Sequence, residues 1–235
     1  MPDPVEIKVT LADDQVAAAL DALGLDRPGQ RRTVSFLEDR RAGGDALVLL
    51  DARVILRARE NEGEADDSTA KLRPVRRSEL TGRWQHDDDL RVEHDWAGTR
   101  HVLAASLDAD RPAGRIAGVR AGTEPVSRLF DDDQERFLAD CAPIAVDLDA
   151  LTLLPPVAAV RWKDLEVAGV PGRLVAERWV VGDLDFLELS ARAGSPAEAE
   201  SVQPALEAGV RALGLAIPAE QETKTRRVLE HLVRA

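Results

Sequence analysis

The chain has 235 residues, with one cysteine, one methionine and no tyrosine among them. A lone thiol, Cys141, excludes an internal disulfide framework and a multi-cysteine zinc site, and suits a reducing compartment. Aromatics make up only 3%, four Trp and four Phe, too few for the stacking platforms that single-stranded nucleic acid needs. No apolar run approaches the ~18 residues of a membrane span, and the opening Met1-Pro2-Asp3-Pro4 lacks the basic flank and apolar core of a signal peptide. Positive charge is also short. Against 43 acidic residues stand 31 Lys and Arg, a formal net charge of −12, which disfavours general attraction to nucleic acid or anionic lipid. The expectation is a cytoplasmic protein with no nucleic-acid and no membrane partner, in which any polyanion is met by a local group of cations. No glycine-rich phosphate loop and no nucleophile elbow occurs.

What is present is 44% apolar and 31% charged residues, enough for a substantial core, with strand-like alternation recurring along the chain. Val5 to Thr10 places Glu6, Lys8 and Thr10 on one face. Asp13 and Asp14 then open a short helix over Val16 to Leu23, closed by Gly24. Further strands are read at Arg32 to Glu38, at Ala46 to Glu60 with Ile55, Arg57 and Arg59 aligned, and at Thr69 to Arg73 with Lys71 and Arg73 aligned. Leu90 to Trp96 aligns Arg91, Glu93 and Asp95. Strands return at Val157 to Val167 with Arg161 and Lys163 together, at Arg173 to Val181 with Val175, Glu177 and Trp179 together, and at Leu184 to Arg192 with Phe186, Glu188, Ser190 and Arg192 together. Helices close the chain at Val202 to Leu213 and Thr225 to Val233. Between the strand at Leu90 to Trp96 and that at Val157 to Val167, about 98–141 reads as a less regular helical insertion inside a single domain spanning 1–235.

About eight strands with helices at the start, middle and end indicate an α+β fold on an antiparallel sheet, and closing that sheet into a barrel would remove its edges. Small closed barrels normally fill with apolar side chains. Here the repeated same-face residues are Lys, Arg and Glu, so an inward arrangement requires a wet, ligand-bearing tunnel whose cations are neutralised by carboxylates or a bound anion. Arg forks onto phosphate oxygens and Lys supplies a compact charge, so the ligand would be phosphate-rich, with Glu residues available to a hard divalent ion. An open sheet with one solvated face shows the same alternation, and periodicity does not choose between the two.

The order of these elements resembles the CYTH domain, or triphosphate tunnel metalloenzyme family, known from class IV adenylate cyclase and thiamine triphosphatase. The similarity spans nearly the whole chain. An opening Glu-x-Glu-x-Lys is represented by Pro4-Val5-Glu6-Ile7-Lys8, an aromatic and acid by Phe36-Leu37-Glu38, and Arg-x-Arg by Arg57 and Arg59. The next strand's Lys is matched by Lys71, and a later Arg by Arg161 beside Lys163. Glu177 stands for the penultimate acid, Glu188 with Ser190 for a closing Glu-x-Glu, and Leu213-Gly214-Leu215 with Thr223-Lys224 for the final segment.

The resemblance implies an eight-stranded antiparallel tunnel with flanking helices that grips a triphosphate or polyphosphate and carries Mg²⁺ or Mn²⁺. Carried across, Lys8, Arg57, Arg59, Lys71, Arg161 and Lys224 would hold phosphate. Arg73 and Lys163 join them on strand parity alone. Glu6 and Glu188 would bind metal, and Lys8, Arg59 and Glu177 would be catalytic. The implied activity is metal-dependent hydrolysis of inorganic or organic triphosphates. A non-catalytic triphosphate binder and an adenylate cyclase are the alternatives, since Pro4 and Ser190 replace two acids of the pattern. Asp3, Glu38 and Glu93 are candidates to replace them. The oligomeric state stays open, with a homodimer as one candidate.

Other features read as structural. His86, His94, His101 and His231 are scattered, and Cys141 reads as a buried inert thiol. The triplets Asp87 to Asp89 and Asp131 to Asp133 lack the glycine and terminal Glu of a calcium loop and read as solvated loop or helix start. The doublets Arg31-Arg32, Arg40-Arg41 and Arg76-Arg77 read as surface salt-bridge partners.

Overall fold

The two-residue period at the N-terminus becomes strand β1, Val5–Ala12, with Val5, Ile7, Val9 and Leu11 buried and Glu6, Lys8 and Thr10 half-buried on the other face. The structure is a computed structural model that describes residues 3–12, 14–219, 221 and 223–234. Asp13, expected to open the first helix beside Asp14, lies outside the described residues, as do Met1 and Pro2. The elements that follow are α1 (Asp14–Ala22), β2 (Gln30–Glu38), α2 (Val48–Asp51), β3 (Val54–Asn61), β4 (Asp66–Leu72), β5 (Arg91–Ala97) and β6 (Arg100–Arg111). Then come α3 (Arg115–Arg120), α4 (Asp132–Cys141), β7 (Thr152–Leu153), β8 (Val157–Leu165), β9 (Leu174–Val181), β10 (Leu184–Ala193), α5 (Pro196–Ala212) and α6 (Lys224–Arg234).

The hydrogen-bonded strand order is β3-β4-β6-β5-β1-β10-β9-β8-β2-β7, and β3 also pairs with β2. The pairing order therefore closes, as the expected α+β barrel requires, but through nine strands instead of eight, with the two-residue β7 outside the ring. It is also not wholly antiparallel, because β1 runs parallel to β5, Glu6 standing opposite Asp95. No helix is long and apolar enough to cross a membrane among the described residues.

By contacts the chain divides into two compact units, one of 1–31, 93–102 and 158–225, the other of 32–92, 103–157 and 226–235. In the first, the apolar face of β1 and that of β10, with Leu187, Leu189, Ala191 and Ala193, lie under Val16 and Ala19 of α1 and Ala199, Val202, Leu206 and Val210 of α5. The charged faces of β1 and β10 are the ones turned away from this core. Helix α5 starts six residues earlier than the expected Val202 because Ser195 Oγ accepts from Glu198 N at 3.2 Å and Pro196 fits the first turn.

In the second unit, Leu56 and Ala58 of β3, Ala70 and Leu72 of β4, and Ala105 and Leu107 of β6 pack beneath Ile116 of α3 and Phe137 and Cys141 of α4. Trp84 meets Phe137 edge-on at 5.3 Å between ring centres, and its indole N–H donates to Asp140 at 2.8 Å. Three expectations are corrected here. The stretch 46–60 is not one strand: Glu38 accepts backbone N–H groups from Leu49 at 2.7 Å and Leu50 at 3.3 Å, holding the single turn of α2, and Arg53 at φ 67° redirects the chain into β3. The stretch after 98 opens with a twelve-residue strand, β6, whose Ala105 and Leu107 face the core opposite Leu72 and Ala70 of β4. Arg32, read as a surface partner, is buried, with Glu64 at 3.6 Å. Asp131 does start a helix, accepting from Gln134 N at 2.9 Å, and Cys141 is buried.

Gly209 sits where α5 approaches the turn after β8. A Cβ there would lie 2.6 Å from Val170 Cγ2 and 2.9 Å from Val167 Cγ1, two stiff side chains. Although alanine is the better helix former by about 1 kcal/mol, Gly209→Ala is expected to destabilise by about 1–3 kcal/mol through overpacking. A lower urea midpoint with an unchanged slope would show this, and a raised midpoint would refute it.

Candidate functional site

In the first unit, β1 presents Lys8 between two carboxylates. Its Nζ is 2.9 Å from Glu6 Oε2 and 3.2 Å from Asp95 Oδ2. The Asp95 side chain is fully buried, and Arg100 Nη2 stands 3.8 Å from its other oxygen. Across the β1–β10 ladder, Lys8 faces Ser190 and Thr10 faces Glu188. The neutral Ser190 hydroxyl therefore lies opposite the lysine at the position where the resemblance expects an acid. Asp95 is the acid that meets Lys8, brought there by the parallel β1–β5 pairing. Of the candidates to replace the missing acids, Glu38 is committed to the turn of α2 and Asp3 lies 3.9 Å from His94.

A second lysine is held in the same manner. Glu177 and Glu188 are cross-strand partners on β9 and β10, and Arg161 of β8 pairs with Glu177. Lys224 Nζ lies 2.8 Å from Glu177 Oε2, 3.2 Å from Glu188 Oε1 and 4.1 Å over the Trp179 ring, with the residue only 6% exposed. Gln221 positions the segment that leads to it, accepting from Thr10 N at 2.8 Å and donating to Thr10 O at 3.4 Å. Strand parity does not carry Lys163 to this face. The β8–β9 register runs regularly to Trp162 and resumes only at Leu165, Asp164 has φ 59°, and Lys163 is exposed.

In the second unit, the charged faces of β3, β4 and β6 are in register. Arg57 faces Thr69, Thr69 faces Asp108, Arg59 faces Asp67, and Ile55 faces Lys71, which faces Ser106. Arg57 Nη2 donates to Thr69 Oγ1 at 3.2 Å, and that hydroxyl donates to Asp108 Oδ1 at 2.5 Å. Arg59 Nε donates to both Asp67 oxygens, at 2.8 and 3.1 Å, and its Nη2 stands 2.8 Å from Oδ1, with Asp108 at 4.0 Å. Arg73 falls beyond the end of β4, its N–H donating to Arg53 O at 2.9 Å. Asp67, Asp108, Asp95, Trp179 and Gln221 carry contacts that the sequence reading assigned to no site. Parity placed Asp95 and Trp179 on charged strand faces, but only cross-strand register shows what they meet.

Mg²⁺ or Mn²⁺ is implied by the resemblance, and the donors can be compared with what such an ion needs. A hard divalent ion takes about six oxygens, commonly one or two of them protein carboxylates. Both expected ligands, Glu6 and Glu188, are instead bridged by a lysine ammonium to a second carboxylate. Among the described residues no group of three or more His, Cys, Asp or Glu is placed to hold a metal ion. His101 is stacked on Trp96 at 3.9 Å. As arranged, the carboxylates suit an ammonium and do not fit a metal.

No family model and no curated protein sequence matches this chain. Solved structures do. The chain is similar to a candidate adenylate cyclase from Bacillus halodurans, 12% identical over 96% of this chain and 97% of that one, with a TM-score of 0.63. It is also similar to a Hippeastrum protein, named for adenylyl cyclase and described as revealing a dominant triphosphatase activity, at 18% identity, 94% of each chain and a TM-score of 0.60. The PH1819 protein of Pyrococcus horikoshii matches at 11% identity over 97% of this chain and 99% of its own, with a TM-score of 0.50. Identities this low speak for the fold. It is the CYTH, or triphosphate tunnel, fold.

Burial alone would raise the Asp108 carboxyl, but the Thr69 hydroxyl and the charges of Arg57, Arg59 and Arg91 outweigh it and hold the group below its ordinary value of 3.8. As pH falls the unfolded chain therefore protonates first, so this stabilisation is complete above pH 3.8 and is lost as pH drops through the lower folded value. The gap in urea midpoint between the natural protein and Asp108→Asn is expected to be widest near neutrality and to narrow on acidification. A gap that stays constant with pH would contradict the assignment.

Proposed function

We propose that this chain binds inorganic or organic triphosphates and hydrolyses their phosphoric anhydride bond. The observation that carries the reading is that its strand cations are half-buried, on faces turned away from the apolar cores and held by short-range acidic partners, while the fold is one in which a related structure is described as a triphosphatase. A cation kept out of bulk water but still within reach of solvent interacts strongly with a polyanion. Lys8, Lys71, Arg57, Arg59, Arg161 and Lys224 are assigned to phosphate oxygens, Arg by forked hydrogen bonds and Lys by compact charge. In phosphoryl transfer the protein's contribution is positioning and charge stabilisation while water attacks in line, and Lys8 and Arg59 are assigned that part. Glu177 is assigned the positioning of Lys224, not the activation of water, because its carboxylate is 2.8 Å from that ammonium.

A second reading, a triphosphate binder without turnover, is favoured by one observation: neutral Ser190 stands opposite Lys8 at a position where the resemblance expects an acid. Phosphate release from tripolyphosphate and ATP, with Mg²⁺, with Mn²⁺ and with chelator, separates the two, provided that cyclic AMP is followed in the same assay. Release is expected, and Lys8→Ala and Arg59→Ala are expected to lower it by about 100-fold or more, the scale of removing one charge-stabilising donor. Both variants need an unchanged melting transition for the comparison, because Lys8 neutralises a buried aspartate. Calorimetric binding without release would support the binder. Neither binding nor release would overturn both readings.

A further inference from the structure

We infer that Lys224 is the resident cation of the Glu177–Glu188 pair, occupying by a covalently tethered ammonium the place a divalent metal would take, and that Lys8 does the same between Glu6 and Asp95. This disagrees with the metal set that the resemblance implies, and it deepens the triphosphate reading by making the protein's own contribution to that site metal-independent. Two carboxylates brought side by side by strand register repel each other unless a cation lies between them. At Glu177 and Glu188 that cation is Lys224 Nζ, 2.8 and 3.2 Å from the two side chains.

The Lys224 seat is built, not incidental. An ammonium has three protons; that of Lys224 donates to Glu177 and lies 3.2 Å from Glu188, while the ring of Trp179, 4.1 Å away, offers its negative face to the same charge. Trp179 is itself fixed by burial and by standing opposite Phe186 on β10. Gln221, three residues before Lys224, accepts from Thr10 N and donates to Thr10 O, which ties its side chain to β1. A tethered group of this kind competes at an effective concentration of the order of millimolar or more against a free ion. The Lys8 seat repeats the pattern with different elements, and there Arg100 stands 3.8 Å from the second carboxylate as a further cation. Ser190 belongs to the same economy of charge: with a lysine already matched by two acids, a neutral hydroxyl opposite it leaves no carboxylate over.

The test uses the full chain stripped with chelator and titrated calorimetrically with MnCl₂ or MgCl₂ alone. With no triphosphate present, the outcome is independent of whether the chain binds or hydrolyses one. The natural protein is expected to show no saturable site. Lys224→Ala is expected to gain Mn²⁺ binding at least tenfold tighter than the natural protein, and the added Glu188→Gln change is expected to abolish that gain. Lys224→Met keeps an apolar stem over Trp179 and serves where the alanine variant melts early. A saturable Mn²⁺ site in the natural protein that disappears with Glu188→Gln would overturn the inference. So would folded Lys224 variants that gain no metal binding.

Discussion

Strand β1 can satisfy its apolar residues in one orientation only. With Val5, Ile7, Val9 and Leu11 sealed beneath α1 and α5, a register slip of one residue would carry all four to the other face and put Lys8 in the core. That constraint leaves Glu6, Lys8 and Thr10 on a half-buried face where neither full hydration nor full burial is available. A lysine that has lost part of its water needs anionic partners, and a fully buried aspartate needs a cation even more. Lys8 and Asp95 supply these needs to each other. Since removing one partner of such a pair leaves the other uncompensated, at a cost of about 3–5 kcal/mol where burial is complete, the strand pairing that aligns them is held as firmly by charge as by hydrogen bonds.

How much of this was legible depends on whether a feature is local. The alternation of β1, β9 and β10 is local, and it fixed which side chains share a face: Glu177 with Trp179, Glu188 with Ser190. The fold class was legible through the order of such segments and their resemblance to a known pattern. Cross-strand register was not, because it is decided by loops and by packing far away in sequence. Nothing near Lys8 in the chain indicates Asp95, 87 residues on and in a parallel partner. Strand β6 was hidden for a related reason: its apolar residues occupy only its middle, while Asp108, Asp110 and Arg111 at its end resemble a polar connection until β4 is placed beside it. The single turn of α2 was unreadable because its N-terminal hydrogen bonds come from Glu38, a residue ten positions upstream and on another element.

The net charge of −12 is compatible with locally grouped cations once their acidic partners are located. Lys8 is flanked by two carboxylates, Lys224 by two, and Arg59 is paired with one and has a second at 4.0 Å. Acidic residues are thus part of the basic faces, not a separate surface. The two units solve the problem differently. In one, compact ammonium groups sit between carboxylate pairs. In the other, the Arg59 guanidinium meets Asp67 directly and that of Arg57 donates to a Thr69 hydroxyl that passes the interaction on to Asp108.

Cations that are already neutralised select ligands by charge density. An incoming anion gains only the difference between its own attraction and that of the carboxylate it displaces or shares, and the desolvation of the cation has been met in advance. For a carboxylate or a single chloride that difference would be small, since Asp67 already meets Arg59 with both of its oxygens. A chain of linked phosphates differs in kind. Each group carries more than one acceptor oxygen and up to two charges, and once one phosphate is bound the next is presented to its cation at high effective concentration. On the proposed function the internal acids would act as a threshold, low for connected phosphates and high for singly charged anions. A face of unpaired lysines and arginines would attract anions of every kind, whereas a paired one favours those of high charge density.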